Sequence, residues 1–166
     1  MPDETKLQTL LEKFNKKLPH FSDGRIDYSK SDEALVLNCF VRYNDKILLL
    51  KRSQKVSHYK GKWNAISGYI DEVKPLKLKI LEELKEEVDI APHDIDNIEI
   101  GHSITFHDPN IDKIWIIFPA LVDIKKNKKL SLDWEHTEYR WIKFNDLKNF
   151  DFVPGLAETL KSLIKQ

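Results

Sequence analysis

Four carboxylates occur within six residues of one predicted helix, at Glu82, Glu83, Glu86 and Glu87. Residues three or four apart share a helix face, so these like charges repel each other at a cost of about 0.2–0.5 kcal/mol per pair. A divalent cation such as Mg²⁺ reverses that cost, because it binds oxygen ligands and draws carboxylates together. The spacing therefore indicates a metal site, and the alternative is a solvated charged face balanced by nearby lysines. These are Lys77, Lys79 and Lys85.

The rest of the chain must supply the elements that position this helix. The helix itself has an apolar stripe and carries Pro75 in its first turn. The stripe consists of Leu76, Ile80, Leu84 and Val88. Apolar segments predict strands over 35–43, 46–51, 63–70, 95–106, 114–124 and 139–142, and a closing helix over 156–164. The order β-β-β-α-β-β-β-α suits an α/β (α+β) fold, in which helices pack on the faces of a mixed β-sheet.

Length and composition narrow the class of protein. The chain has 166 residues, 41% of them hydrophobic, which suits one full hydrophobic core. Its 27 basic and 27 acidic residues balance, so there is no strong signal for nucleic-acid binding. No apolar stretch approaches the ~20 residues that span a bilayer, and the first residues lack the apolar core of a signal peptide. We therefore expect a cytoplasmic protein that does not enter membranes.

An N-terminal helix over 4–18 precedes this core, and a polar linker over 19–32 follows it. The apolar positions of the helix recur at helical spacing. They are Leu7, Leu10, Leu11, Phe14 and Leu18. The helix is expected either to pack on the rest of the chain or to form a homodimer contact. Residues 1–33 are thus predicted to be a helix and linker, and residues 34–166 one domain.

The segment from Gly68 to Ile90 resembles the Nudix box, G-x5-E-x7-R-E-U-x-E-E-x-G-U, where U is an aliphatic residue. The residues in register are Gly68, Glu83, Leu84, Glu86, Glu87 and Ile90. The resemblance covers roughly residues 34–165 and includes the 48–52 strand end, Gly61-Lys62-Trp63 and the 134–141 segment. It implies a Nudix-like α/β/α sandwich with a mixed β-sheet, to which the N-terminal helix is an addition.

The resemblance also implies a function. It implies a metal-dependent hydrolase that uses Mg²⁺ (or Mn²⁺) to cleave the diphosphate linkage of a nucleoside diphosphate derivative. The catalytic residues by position are Glu83, Glu86, Glu87 and Glu135. The metal ligands by position are the same three box glutamates, with a backbone carbonyl of Ser67 or Gly68. The candidate substrate-binding residues are Arg52, Lys55, Lys62 and Trp63, since basic side chains bind phosphate oxygens.

The box departs from the family pattern at its charged positions. Lys74 stands where the family has glutamate, and Glu82 stands where it has arginine. Because both charges are reversed at the same spacing, we hypothesise a swapped ion pair between Lys74 and Glu82. Asp89 replaces the late glycine and is expected to adopt a left-handed C-cap. Ser67 replaces the glycine that usually precedes Gly68.

Two other readings stay open. The altered box suits a Nudix-fold module that binds nucleotides or regulates without catalysis. A diphosphate isomerase on the same fold would need a reactive cysteine, and Cys39 lies in an apolar run that is typical of a buried core residue. His58 and His136 are candidates for a base or a substrate contact, and His102 and His107 lack cysteine partners for zinc. Four aromatic residues are candidates for base stacking or for the core: Trp63, Tyr69, Phe106 and Trp115.

Overall fold

A computed structural model describes residues 2–164, with Pro2 described by its backbone alone. Met1, Lys165 and Gln166 belong to the predicted ranges 1–33 and 34–166 but lie outside the described residues. The helices are α1 Pro2–Lys17, α2 Leu76–Val88 and α3 Leu156–Ile164, with short 3-10 helices at Pro92–Asp94 and Phe144–Asn149. The strands are β1 Glu33–Tyr43, β2 Lys46–Arg52, β3 Trp63–Asn64, β4 Ile66–Tyr69, β5 Ile95–Ile100, β6 Ile104–Asp108, β7 Lys113–Ile124 and β8 His136–Lys143.

Strand β1 is the centre of the sheet. It runs parallel to β7 from Glu33 opposite Ile114 to Arg42 opposite Asp123. On its other side β1 pairs antiparallel with β4 along its first half and with β2 at the hairpin end. Strands β3 and β8 extend the sheet from β2, and β5 and β6 pair with β7, all antiparallel. The predicted mixed β-sheet is confirmed.

Helices cover both faces of this sheet. Alternate residues of β1 point to opposite faces, so that Cys39 joins a core with α1 and α2 while Phe40 joins a second core with α3. The first core includes Leu76, Ile80 and the other apolar residues of the α2 stripe. The expected α/β/α sandwich is therefore confirmed. None of the described helices is both long and apolar enough to cross a membrane.

Helix α1 packs on the sandwich rather than standing apart from it. Leu7, Leu11 and Phe14 are buried in the first core. The predicted polar linker that follows also contributes to this core, because Ile26 and Tyr28 are buried there. Their burial offsets the entropy of ordering a polar segment. The division of the chain at residue 33 stays a prediction.

Two predicted strands are interrupted. The predicted strand over 95–106 breaks into β5 and β6 opposite Pro119, whose carbonyl accepts a hydrogen bond from the Gly101 amide at 3.0 Å. Proline has no amide hydrogen to return, so the ladder with β7 stops at this point. The predicted strand over 63–70 breaks at Ala65, because β3 pairs with β2 whereas β4 pairs with β1.

Candidate active site

Helix α2 presents its glutamates beside its buried stripe. Leu84 and Val88 are fully buried, and the spacing places Glu83 and Glu87 at the edge of that stripe, where both are also buried. Glu86 is exposed. The helix ends at Asp89, which adopts the predicted left-handed conformation at φ 59° and ψ 42°. The helical spacing thus places Glu83 and Glu87 towards the interior and Glu86 towards solvent.

The N-terminus of α2 is held by α1. Pro75 is the residue before the helix and cannot cap it with a side-chain oxygen. Instead the carboxylate of Glu4 accepts hydrogen bonds from the Leu76 amide at 3.2 and 3.4 Å. Gln8 donates to the Lys74 carbonyl at 3.0 Å. The added helix therefore anchors the segment that leads into the glutamate-bearing helix.

Glu83 lies between Gly68 and Lys79. A β-carbon built on Gly68 would lie 2.6 Å from Oε1 of Glu83, so the glycine makes room for the carboxylate. The ammonium of Lys79 lies 2.6 Å from the same Oε1. The alternative reading of the glutamate cluster places Lys79 on a solvated face, but Lys79 is buried. Its position four residues before Glu83, on the side of the apolar stripe, is the signal that could have revealed the pair.

Glu87 lies deeper, with only 2% of its surface exposed. Its Oε2 accepts a hydrogen bond from the Ser67 amide at 3.2 Å. Its Oε1 is buried and has no hydrogen-bond partner among the described residues. Burial and the neighbouring Glu83 carboxylate raise the pKa of Glu87 well above its usual value. A buried oxygen without a partner is costly and needs a proton or a cation.

The start of β8 brings a third set of groups to Glu87. Burial, and then the charges of Asp133 and Glu83, raise the pKa of Glu135 to about 7. His136 is buried beside it, with Nε2 3.6 Å from Oε1 of Glu87 and Nδ1 2.9 Å from Oδ1 of Asp133. Burial lowers the pKa of His136, against the opposing effect of its hydrogen bond to Asp133.

A cavity of about 860 Å³ opens above these groups. Seven of the predicted site residues line it: Arg52, Lys55, Ser67, Gly68, Glu83, Glu86 and Glu135. Glu87 lies beneath them, bonded to the Ser67 amide. The Nε of Arg52 donates to the His58 carbonyl at 3.0 Å, which aims the guanidinium along the cavity wall. Basic and acidic side chains therefore line the same cavity.

Lys62 and Trp63 are not part of this cavity lining. The ammonium of Lys62 bonds both carboxylate oxygens of Asp151, at 3.0 and 3.1 Å. Trp63 is buried in the second core and packs edge-on against Phe150 with ring centroids 5.3 Å apart. Their assignment as substrate contacts stays a prediction that this geometry does not favour.

Aromatic rings form another part of the cavity wall. Tyr69 and Trp115 line it, with ring centroids 6.0 Å apart, and Tyr69 stacks on Tyr28 at 5.6 Å. Phe106 instead packs against the Gly155 backbone. Of the four aromatic candidates, Tyr69 and Trp115 are placed where a flat ligand could stack.

A family model described as the NUDIX domain matches residues 33–163. The chain belongs to the Nudix family. It is 26% identical over 133 residues to YvcI, a Nudix hydrolase of Bacillus subtilis strain 168, and the match covers 78% of each protein. It is 25% identical over 121 residues to the nucleoside triphosphatase NudI of Klebsiella pneumoniae strain 342, covering 68% of this chain and 84% of NudI.

Solved Nudix structures share the fold. The Nudix domain of Shewanella oneidensis NrtR, crystallised with ADP ribose, superposes with a TM-score of 0.66. The superposition covers 80% of this chain and 87% of that one at 15% sequence identity. This likeness concerns the fold of the Nudix domain alone.

The two altered charges of the Nudix box are in contact, as hypothesised. Nζ of Lys74 lies 2.5 Å from Oε2 of Glu82 and 3.3 Å from Oε1 of Glu72. Burial works against the charge of Lys74, but the hydrogen bonds to Glu82 and Glu72 raise the pKa of its amine. The swapped pair thus joins the Nudix-box loop to α2.

We expect this pair to be measurable by a double-mutant cycle. Lys74→Glu and Glu82→Arg should each destabilise the protein, and the double variant should recover stability, with a coupling of about 0.2–1 kcal/mol for a partly exposed pair. Urea unfolding of the four proteins measures the coupling. Lys77→Glu on the exposed face of α2 is the control. Additive effects of the two changes would contradict the pairing.

The donors of this Nudix site fit a hard divalent cation. Three box glutamates offer carboxylate oxygens, the ligand type that Mg²⁺ and Mn²⁺ prefer. A cation would also pair with Oε1 of Glu87, which has no hydrogen-bond partner among the described residues. Cys39, by contrast, is fully buried, and burial raises the pKa of its thiol far above the usual range. A cysteine-dependent isomerase is therefore not supported by this residue.

Proposed function

We propose that the protein is a metal-dependent Nudix hydrolase that cleaves a diphosphate linkage in a nucleotide derivative, with Mg²⁺ or Mn²⁺. The observation that carries the proposal is the convergence of Glu83, Glu86 and Glu135 on one cavity, above a buried oxygen of Glu87. That oxygen has no hydrogen-bond partner in the part of the chain that the structure describes. Such a group of carboxylates is costly without a cation and suited to one.

The side chains around the cavity suggest a division of labour. Glu83, Glu86 and Glu87 would hold the metal, with a backbone carbonyl of Ser67 or Gly68. A bound divalent ion would polarise phosphoryl oxygens and lower the pKa of an attacking water. Glu135, whose pKa is raised to about 7 by burial, is suited to accept the proton of that water.

Other side chains that line the cavity could contact the rest of a substrate. Arg52 and Lys55 line the cavity and would bind phosphate oxygens, Arg52 through its planar fork. Tyr69 and Trp115 offer ring faces on which a base could stack. The names of the relatives support a nucleotide-type substrate: NudI is a nucleoside triphosphatase, and the NrtR domain was solved with ADP ribose.

The proposal is tested by a substrate panel with Mg²⁺ or Mn²⁺. The panel contains ADP-ribose, dinucleoside polyphosphates, nucleoside triphosphates and capped RNA. Phosphate release is measured after phosphatase treatment for the blocked diphosphates and after inorganic pyrophosphatase treatment for the nucleoside triphosphates. We expect turnover of at least one substrate, which Glu135→Gln lowers by about 10²–10⁴-fold through loss of the base. Glu138→Gln on the same strand is the matched control, because Glu138 pairs with Arg140 and does not line the cavity.

A binding module without catalysis is the second candidate. It is favoured by the contact of Lys79 with Glu83, which already neutralises one of the box carboxylates. Calorimetric binding of ADP-ribose without turnover of any panel member would support this candidate and overturn the hydrolase. A cytoplasmic location and a homodimer stay predictions.

A further inference from the structure

Three side chains at the floor of the cavity offer one ligand atom each to a common point. Atoms of Glu87, Glu135 and His136 all lie within 4.8 Å of one another. Only Glu135 of the three lines the open cavity, and the other two are buried beneath it. The group includes an imidazole, which sets it apart from the all-carboxylate set of Glu83, Glu86 and Glu87 on α2.

The orientation of the imidazole is the decisive observation. Nδ1 of His136 lies 2.9 Å from Oδ1 of Asp133, and an ionised carboxylate can only accept a hydrogen bond. Nδ1 must therefore carry the hydrogen, and in the neutral ring, the form that binds a metal ion, Nε2 presents a lone pair. That lone pair faces Oε1 of Glu87 at 3.6 Å, and this oxygen has no hydrogen-bond partner within residues 3–164.

A buried carboxylate oxygen and a ring nitrogen that face each other require a proton or a cation between them. Ligand atoms about 2.1 Å from one shared ion lie roughly 3.0 Å apart at a right angle and roughly 3.4 Å apart at the tetrahedral angle. The separation of 3.6 Å between Nε2 and Oε1 is close to that range. A ligating histidine also typically donates its other ring N–H to a carboxylate, as His136 does to Asp133.

We infer that Glu87, Glu135 and His136 form a mixed nitrogen–oxygen site that prefers a transition metal such as Mn²⁺ or Co²⁺ to Mg²⁺. Imidazole is a ligand for first-row transition metals, along which the affinity of such a site rises from Mn²⁺ to Co²⁺, whereas Mg²⁺ favours oxygen donors and keeps several waters. The inference rests on the proposed function in taking Glu87 as a metal ligand. It differs from that proposal in making Glu135 a ligand instead of the base and in leaving Glu83 paired with Lys79, and it does not depend on catalysis.

The contact of Lys79 with Glu83 explains why the metal ion would bind at Glu87 and not at Glu83. Its ammonium lies 2.6 Å from Oε1 of Glu83, and both side chains are about nine-tenths buried. Glu83 is therefore already paired with a lysine side chain, whereas Glu87 has no lysine or arginine partner among the described residues. A metal ion gains more from the unpaired Glu87 than from competing with Lys79 for Glu83.

Metal binding to the full chain tests the inference without an activity assay. Pulsed EPR of the Mn²⁺-loaded wild-type protein should show coupling to a directly bound nitrogen. His136→Asn should abolish that coupling, because an asparagine amide can replace the Nδ1 donor to Asp133 but not Nε2. Calorimetry should show a fall in Mn²⁺ affinity of at least the roughly 10- to 100-fold seen when hydrogen-bond partners of metal ligands are removed. The Mg²⁺ affinity should fall less.

His93→Gln is the matched control, because His93 is exposed and does not line the cavity. Its Mn²⁺ spectrum and affinity should equal those of the wild type. Mn²⁺ binding without nitrogen coupling in the wild type would overturn the inference even if His136→Asn fails to fold. Turnover with Mg²⁺ and no nitrogen coupling refutes the mixed site and leaves the hydrolase, whereas nitrogen coupling without any turnover refutes the hydrolase and leaves the mixed site.

Discussion

Replacing Glu87 with glutamine should lower turnover by at least about 100-fold while the protein stays folded. Glutamine keeps the size and can keep the hydrogen bond from the Ser67 amide, but it removes the charge that a metal ion needs. Loss of even the hydrogen-bond partner of a metal ligand commonly costs about 10- to 100-fold, so loss of a ligand's charge should cost no less. The measurement is kcat on the best substrate of the panel, with metal affinity by calorimetry.

The same variant should stabilise the metal-free protein, and more so at higher pH. Burial and the Glu83 carboxylate raise the pKa of Glu87 above its ordinary value of 4.5. The penalty for the buried charge is therefore absent below that value, grows as the pH rises towards the folded-state pKa and is constant above it. We expect Glu87→Gln to add about 1–3 kcal/mol to the free energy of unfolding near pH 8 and little at pH 4.

Glu12→Gln on the exposed face of α1 is the control for both measurements, and neither turnover nor stability should change. Near-normal turnover in Glu87→Gln would contradict a metal-ligand role for this residue. Loss of stability at pH 8 in metal-free buffer would show that the buried oxygen is satisfied by the protein itself.

Truncation of Phe14 to alanine should cost about 3–5 kcal/mol of unfolding free energy. Phe14 is 2% exposed, and its ring packs edge-on against Tyr28 with centroids 5.8 Å apart. The cavity left in the first core would loosen α1, whose Glu4 holds the first turn of α2. Urea unfolding measures the loss.

Phe21→Ala is the matched control, because Phe21 is an exposed phenylalanine that follows the same helix. Its effect should stay below about 1 kcal/mol, the value of its cation–π contact with Arg25 at an exposed site. Equal effects of the two changes would show that α1 is a loosely attached addition and not part of the core.

The periodic features of the fold could be predicted from the sequence. The helical stripe from Leu76 to Val88 and the apolar run of β1 are local features, and the structure buries both as expected. The ends of strands could not be predicted in the same way. The break before β6 depends on Pro119, which lies in the partner strand and reveals its effect only once the two strands are paired.

The site was predictable where its residues lie on one helix. Register with Gly68 selected Glu83, Glu86 and Glu87. Gly68, Glu83 and Glu86 line the same cavity, and Glu87 lies beneath it. His136 was named only as a base or substrate contact. Its contact with Glu87 arises from the pairing of β8 with β2, where a register shift occurs beside Arg52, and no local pattern encodes that shift.

The burial of Cys39 makes the protein a convenient scaffold for site-directed labelling. Maleimide reagents need an accessible thiolate, and this only cysteine is fully enclosed, with its pKa raised by burial and then by Glu87 and Glu83. A new cysteine at the exposed Ser22 would therefore take a fluorophore or nitroxide without prior removal of the native thiol. Dipolar distances from such a probe to bound Mn²⁺ could then locate the ion in the native protein.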